Sequence, residues 1–345
     1  MSLIINPLLL DVNELALPGQ GRIGVLTGGR SRERARSLLS GNTALAALQR
    51  LGLSAVLIDT REPDLLDQLR EIDVALLAIA GQYGEDGKLQ GLLEHLAIPY
   101  TGSGVLASAL AMHKTAAKTM VAAHGVSVLP GRVIDGETPA EVVAKDLAKA
   151  LSLPVIIKPV SEGGSIDMRL ARAEHDLADA VEELRQGGQA LFAERFWPGH
   201  PVTAGVLDDG EQLRVLPLLE TQPKGGDFYD YATKNNPAAF SNHCPAILPP
   251  ATEALVREYA QAAHRALGCS GYSRSDFVVG AGLPGGGAGD GVAGGPQVWW
   301  LETNTLPGLS ATGNMATMAA ADGIGYDALI TFILSTALTP HGYRP

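Results

Sequence analysis

Only two cysteines, Cys244 and Cys269, occur in 345 residues, and they stand in no metal-ligand spacing. That argues against a thiolate metal site or a disulfide framework, and reduced thiols in a cytoplasmic protein are the expectation. Basic side chains are scarce too: 26 Lys and Arg face 37 Asp and Glu, a formal charge of −11. The balance disfavours a nucleic-acid or anionic-membrane surface and leaves room only for a local basic cleft. No apolar run approaches the ~20 residues that span a bilayer, so no membrane partner is expected. The opening MSLIINPLLLDVNELALPGQG has no basic stretch followed by a long apolar core, so no signal peptide is expected either. Internal repeats are absent. Hydrophobic residues, at 46%, are not lacking. They supply a sizeable core, and the length suits two or three domains.

Residues 1–21 read as an extension. Arg22 to Leu26 is a first strand ending in Thr27-Gly28-Gly29, Ser31 to Leu51 a helix, Ala55 to Asp59 a second strand and Val74 to Ala80 a third. Strands alternating with helices predict parallel βαβ units with ligands beyond the carboxyl ends of the strands. The Gly28-Gly29 turn before a helix could cradle an anion, although it is no full dinucleotide fingerprint. Tyr100 to Lys118 passes from a glycine turn into an alanine-rich helix carrying Lys114 and Lys118, for which a solvated face is the plainer reading.

Leu153 to Lys158 is a further strand, followed by the small-residue loop PVSEGGS, residues 159–165. A loop of that composition with a lysine at its base suits a lid over polyphosphate. Leu191 to Trp197 is a strand holding Glu194, with a hinge expected at Pro198-Gly199. A strand over Val215 to Glu220 precedes a polar, aromatic loop, Gly225 to Asn236, and Thr252 to Leu267 reads as an amphipathic helix. Gly280 to Gly295 is low-complexity glycine, expected to form a mobile hairpin loop, and Ala316 to Leu338 supplies closing helices.

The most informative stretch is QVWWLETNTLPGLSATGNM, residues 297–315. Val298 to Leu301 has the composition of a buried strand and runs into Glu302 and Asn304, which alternation places on one face. A carboxylate and an amide oxygen so presented suit a hard cation such as Mg²⁺, which takes oxygen ligands at about 2.0–2.1 Å. Upstream, SRSDFVV is another strand with Arg274 beside Asp276. Either strand alone could be one half of an ordinary hairpin with rim polars. Together they read as a metal–phosphate site, and Pro307-Gly308 beyond them turns the chain and frees a backbone N–H for a ligand.

Six motifs occur in order: GGRSRERARSLLSG, GEDGKLQGLLEHLAIPYTGSGVLASALAMHK, LPVIIKPVSEGGS, FYDYATK, LGCSGYSRSDF and LETNTLPGL. On these the chain resembles the D-alanine–D-alanine ligase family of ATP-grasp enzymes from about residue 22 onward. The resemblance implies an α/β, three-domain ATP-grasp fold: an N-terminal parallel-sheet domain at 22–112, a central domain at 113–201 and a C-terminal domain at 202–345. It implies ATP and two Mg²⁺ ions, with Mn²⁺ as a substitute, small-molecule carboxylate and amine substrates, and a homodimer. By position, Lys114 and Lys158 contact phosphates, Glu162 to Ser165 close over them, and Lys234 lies near the γ-phosphate. Glu194 and the Phe196–Trp197 backbone hold adenine, and Asp276, Glu302 and Asn304 ligate the metals. Arg274 and the Gly308 N–H stabilise an oxyanion, and Glu33 holds the ammonium of the first substrate. A substrate carboxylate takes the γ-phosphate, and an amine then displaces phosphate from the acyl phosphate, giving an amide or imine-type product.

Several positions depart from the family pattern. Ala80 stands for a histidine, Gly164, Ser165 and Asp167 stand where the family's lid has two serines and a glycine, and Asn235 replaces an aromatic. Gly313-Asn314 replace a Ser-Leu pair, and Pro201 replaces a ribose-binding glutamate. Removing a polar partner from a buried site costs about 1–3 kcal/mol, and small residues at 80 and 164 would widen the first substrate pocket. The expectation is therefore a ligase of this family with altered substrate pockets. The alternatives are a genuine D-alanine–D-alanine ligase, a mycosporine-type ligase joining Ser or Thr to mycosporine-glycine, and an inactive nucleotide-binding regulatory module.

Overall fold

The three apolar runs at the start of the chain fold as β1 (Ile23–Thr27), β2 (Ala55–Asp59) and β3 (Val74–Leu77), a parallel sheet in the order β2-β1-β3. β1 and β3 are buried along their whole length, as continuous apolar strands of a parallel sheet should be. The structure, a computed structural model, describes residues 12, 15–164, 167–223, 240–280 and 296–338. Crossover helices α1 (Arg34–Arg50) and α2 (Leu65–Leu69) link the strands. Gly28 and Gly29 both take positive φ, +73° and +80°, which only glycine adopts freely. The expected anion cradle at this turn does not form: the Gly29 N–H donates to Asp59 Oδ1 at 3.2 Å, and Arg34 pairs with the same carboxylate at 2.5 Å.

After α3 (Lys88–His95), the expected single helix of 100–118 divides into α4 (Val105–Met112) and α5 (Lys114–Ala123). His113 breaks it with extended backbone, and its ring caps α5 by accepting the Ala116 N–H. Next come β4 (Gly131–Ile134), α6 (Ala140–Leu151), β5 (Val155–Pro159), β6 (Arg169–Ala171), α7 (Glu174–Arg185) and β7 (Leu191–Arg195). These strands form an antiparallel sheet, β4-β7-β5-β6, with its own core against α6 and α7.

The largest sheet contains β8 (His200–Asp208), β9 (Leu213–Val215), β10 (Leu219–Pro223), β11 (Phe240–His243), β12 (Tyr272–Gly280) and β13 (Gln297–Asn304). Its order is β11-β10-β8-β12-β13, with β9 on β8, and α8 (Pro250–Ala266) packs against one face. The strand expected over Val215 to Glu220 is two pieces, β9 and β10, joined at 216–218. The closing helices α9 (Asn314–Ala321) and α10 (Tyr326–Thr336) return to the first sheet and share its core. Arg50 of α1 also pairs with Asp327 of α10 at 2.5 Å. Among the described residues no single helix is long and apolar enough to cross a membrane; α9 and α10 pass that test only as a pair, bent by 110°. Both cysteines are free. The glycine-rich stretch after Gly280 lies outside the described residues.

Candidate active site

Strand pairing assembles the first part of the site. β12 and β13 run antiparallel with Arg274 opposite Asn304 and Asp276 opposite Glu302, so all four side chains share one face. A bulge just beyond Asp276 shifts the register to Phe277 opposite Trp300. On the other side β8 places Thr203 opposite Asp276, and its hydroxyl donates to Asp276 Oδ1 at 3.0 Å. Arg274 grips Asp276 with two bonds, Nε to Oδ1 at 3.1 Å and Nη2 to Oδ2 at 2.8 Å. A guanidinium has five N–H donors, so this grip orients Arg274 and leaves its Nη1 for another acceptor. Burial alone would lower the Arg274 pKa, but Asp276 and Glu302 outweigh it and the net direction is up.

Among the described residues no three His, Cys, Asp or Glu side chains gather as a metal cage. Two carboxylates and an amide, all oxygen donors at one strand end, are nevertheless what Mg²⁺ needs from a protein when phosphates and waters complete its shell. The donor set fits that ion.

Lysines form the opposite wall. Lys114 and Lys118 are 8% and 6% exposed, so the solvated-face reading fails for both. Lys114 Nζ donates to the Glu162 carbonyl of the lid and lies 3.8 Å from Glu302 Oε2. Burial lowers its pKa, partly offset by Glu302. Glu194, 1% exposed, is sandwiched between two ammonium groups: Lys158 Nζ lies 2.6 Å from Oε2, and Lys118 Nζ is in direct contact with Oε1. Burial would raise the Glu194 pKa, but the lysines prevail and hold it below the usual carboxylate range. Two cations on one buried anion leave the cluster net positive, which suits a polyphosphate.

These groups surround a cavity of about 200 Å³. Lys114, Lys158, Glu162, Glu194, Phe196, Trp197, Arg274, Asp276, Glu302 and Asn314 all line it, and Pro201 does too. Asn304 joins through its amide N–H to Asp276 Oδ2 at 3.4 Å. Gly313 is the N-cap of α9, immediately before Asn314. Three expected site residues, Ser165, Lys234 and Asn235, lie outside the described residues.

The lid docks on the first sheet's loops through residues that sequence reasoning passed over. Gln82 Nε2 donates to the Ser161 carbonyl at 3.0 Å and to Glu162 Oε1 at 2.9 Å, and Gln189 reaches the same oxygen at 3.1 Å. Arg32 pairs with Asp167, which keeps a positive φ of +56° where the family pattern has glycine. Both backbone groups of Ala80 are tied, its N–H to Ser37 Oγ and its carbonyl to Ser31 Oγ. The space beside Gly164 is taken by a side chain of the first sheet's unit. A side-chain carbon there would sit 2.9 Å from Glu33 Oε1, and one at Gly163 would sit 2.5 Å from Glu33 Oε2. Glu33 occupies that space.

Gly164 therefore has a testable constraint. Its φ of +69° also disfavours a side chain. Gly164→Ala should displace the Glu33 carboxylate and destabilise the protein by about 1–2 kcal/mol, chiefly through the left-handed backbone. Urea unfolding checks this, and a change under about 0.5 kcal/mol would show that the loop relaxes freely.

Glu85 is buried beside the loop at Gly81, whose N–H it accepts. Burial, reinforced by Glu33, raises its pKa from 4.5 to about 8. Folding takes up a proton between those values, so the stability contributed by the neutral carboxyl is complete below about pH 4 and lost as pH rises through 8. Between about pH 5 and pH 8.5, wild type should lose on the order of 3 kcal/mol more than Glu85→Gln. Urea unfolding at the two pH values measures this; equal losses would contradict it.

A family model of the D-ala D-ala ligase C-terminus matches residues 120–335, and one of the N-terminus matches residues 59–103. A D-alanine–D-alanine ligase of Geobacter sulfurreducens is 41% identical over 321 residues, covering 92% of this chain and 94% of its own. One of Syntrophobacter fumaroxidans is 39% identical over 319 residues, covering 92% and 97%. The solved D-alanine–D-alanine ligase of Bacillus anthracis complexed with ATP matches with a TM-score of 0.76 at 29% identity, over 92% of this chain and 97% of that one. Fold and site thus define an ATP-grasp enzyme, an ATP-dependent, ADP-forming carboxylate–amine ligase. Within that class the chain belongs to the D-alanine–D-alanine ligase family.

Proposed function

We propose that this enzyme joins two molecules of D-alanine, the reading that the sequence placed second. The relatives favour it over an altered substrate, and the observation that carries it is the Glu33 carboxylate lying in the space at Gly163 and Gly164, part of the pocket that small residues were expected to widen. In this reading Glu33 receives the ammonium of the first D-alanine. Lys114 and Lys158 neutralise the triphosphate, Glu194 and the Phe196–Trp197 backbone seat the adenine, and Glu162 belongs to the lid, which Ser165 completes. Asp276, Glu302 and Asn304 would hold the two Mg²⁺ ions, which would supply charge neutralisation to phosphoryl transfer.

The carboxylate of the first D-alanine attacks the γ-phosphate, and the amine of the second attacks the resulting acyl phosphate. The developing oxyanion lies between Arg274 and the Gly308 N–H, donors typically worth roughly 3–4 kcal/mol each. The docked lid keeps water from the acyl phosphate. The division at 22–112, 113–201 and 202–345, the homodimer and the part of Lys234 near the γ-phosphate belong to the same proposal.

The test is ADP release with Mg²⁺, ATP and D-alanine as the only amino acid, with mass spectrometry of the product. D-alanyl-D-alanine is expected. No ADP from protein that binds ATP would overturn the reading. Asn314 lining the cavity in place of a leucine favours one rival, an altered acceptor, which ADP release from D-alanine only in the presence of a second amine would support. The inactive module is disfavoured because Asp276 and Glu302 face each other.

A further inference from the structure

Glu85 belongs to the GEDG motif and is given no part in the mechanism above. Its carboxyl group is buried between two loops from opposite ends of the chain. Oε2 accepts the Gly81 N–H at 2.7 Å, and Oε1 accepts the Leu306 N–H at 3.2 Å, 221 residues away. Leu306 opens the turn that holds Gly308. Three residues on, the Leu309 N–H donates to Ser40 Oγ of α1 at 3.1 Å, and its carbonyl accepts from the Tyr326 hydroxyl at 2.5 Å. The turn is thus fastened on both sides of Gly308 by groups of the first sheet's unit. A backbone N–H aimed at a developing charge must be held before the reaction, since it stabilises that charge only if no reorganisation is needed.

We propose that Glu85 is a positioning residue for the Gly308 turn, with Ser40 fastening the other end of the same turn. Together they fix the direction of the Gly308 N–H. This rests on the oxyanion role given to Gly308 above. The same two bonds tie the loop bearing Gln82, which holds the lid, to the loop bearing the oxyanion donor. Lid docking and oxyanion geometry are therefore set by one buried carboxyl group.

The experiment uses the full-length enzyme as wild type, Glu85→Ala, Glu85→Gln and Ser40→Ala. Hydrogen exchange is read in the peptide covering residues 303–312, and steady-state kinetics are measured with D-alanine. Losing an acceptor for a buried N–H should speed exchange in that peptide about tenfold in Glu85→Ala and several-fold in Ser40→Ala. The kcat should fall about tenfold in Glu85→Ala, with KM for ATP within twofold, and Glu85→Gln, which keeps one acceptor oxygen, should recover part of it. Unchanged exchange at 303–312 in both Glu85→Ala and Ser40→Ala overturns the proposal. So does a uniform rise across the whole chain, or kcat within twofold of an active wild type. If wild type fails to use D-alanine yet exchange responds locally, the substrate reading falls and the positioning of the turn stands.

Discussion

Glu302→Gln should lower turnover about 10³-fold at saturating ATP, some 4 kcal/mol of barrier, because it removes the carboxylate that faces Asp276 across the strand pair. Glutamine matches the shape, and Glu302 is partly exposed, so the fold should persist. The loss should therefore appear in kcat and in the Mg²⁺ concentration needed for half-maximal rate, not in thermal stability. ADP release across a Mg²⁺ titration measures both. Lys114, 3.8 Å from Glu302, supplies a control. If neutralising Glu302 merely freed this lysine, ATP affinity without metal would change while Mg²⁺ dependence would not. Turnover within threefold of wild type at low Mg²⁺ would place the cation away from these strand ends.

Glu194→Gln should destabilise the protein by about 3–5 kcal/mol, the loss typical of breaking a buried ion pair by removing one partner. Lys118 and Lys158 share that carboxylate and are themselves buried, so both would be left without their anion. Adding Lys118→Met to Glu194→Gln should recover part of the loss, since one stranded charge disappears while its apolar stem is kept. Urea unfolding of the single and double variants tests the sequence of losses. A change under about 1 kcal/mol in the single variant would mean that water already reaches the cluster.

The residues proposed to face the metal are legible in the sequence, for a covalent reason. Alternation along a strand needs no distant partner, so Glu302 and Asn304 had to share a face, and so did Arg274 and Asp276. Composition alone sufficed for β2 and nearly so for β1, β5 and α8. The failures lie where a distant group competes for a local one. Gly29 carries the backbone freedom of an anion-binding turn, but Asp59 of β2 takes its N–H. Lys118 looks like a surface lysine of an alanine-rich helix, and only Glu194 on another strand explains its burial. Gly164 reads as added room until Glu33, 131 residues earlier, is found filling it.

Strand faces, the order of the motifs and membership of an ATP-dependent ligase family were determined by the chain on its own, because side-chain alternation and short motifs are properties of neighbouring residues. Burial of the lysine–glutamate cluster, docking of the lid through Gln82 and Asp167, and fastening of the Gly308 turn by Glu85 and Ser40 were decided only in three dimensions. Each depends on which remote group removes water from a polar atom and then replaces that water as its partner. No local spacing encodes that choice, since an unpaired polar group loses free energy only once the fold has buried it.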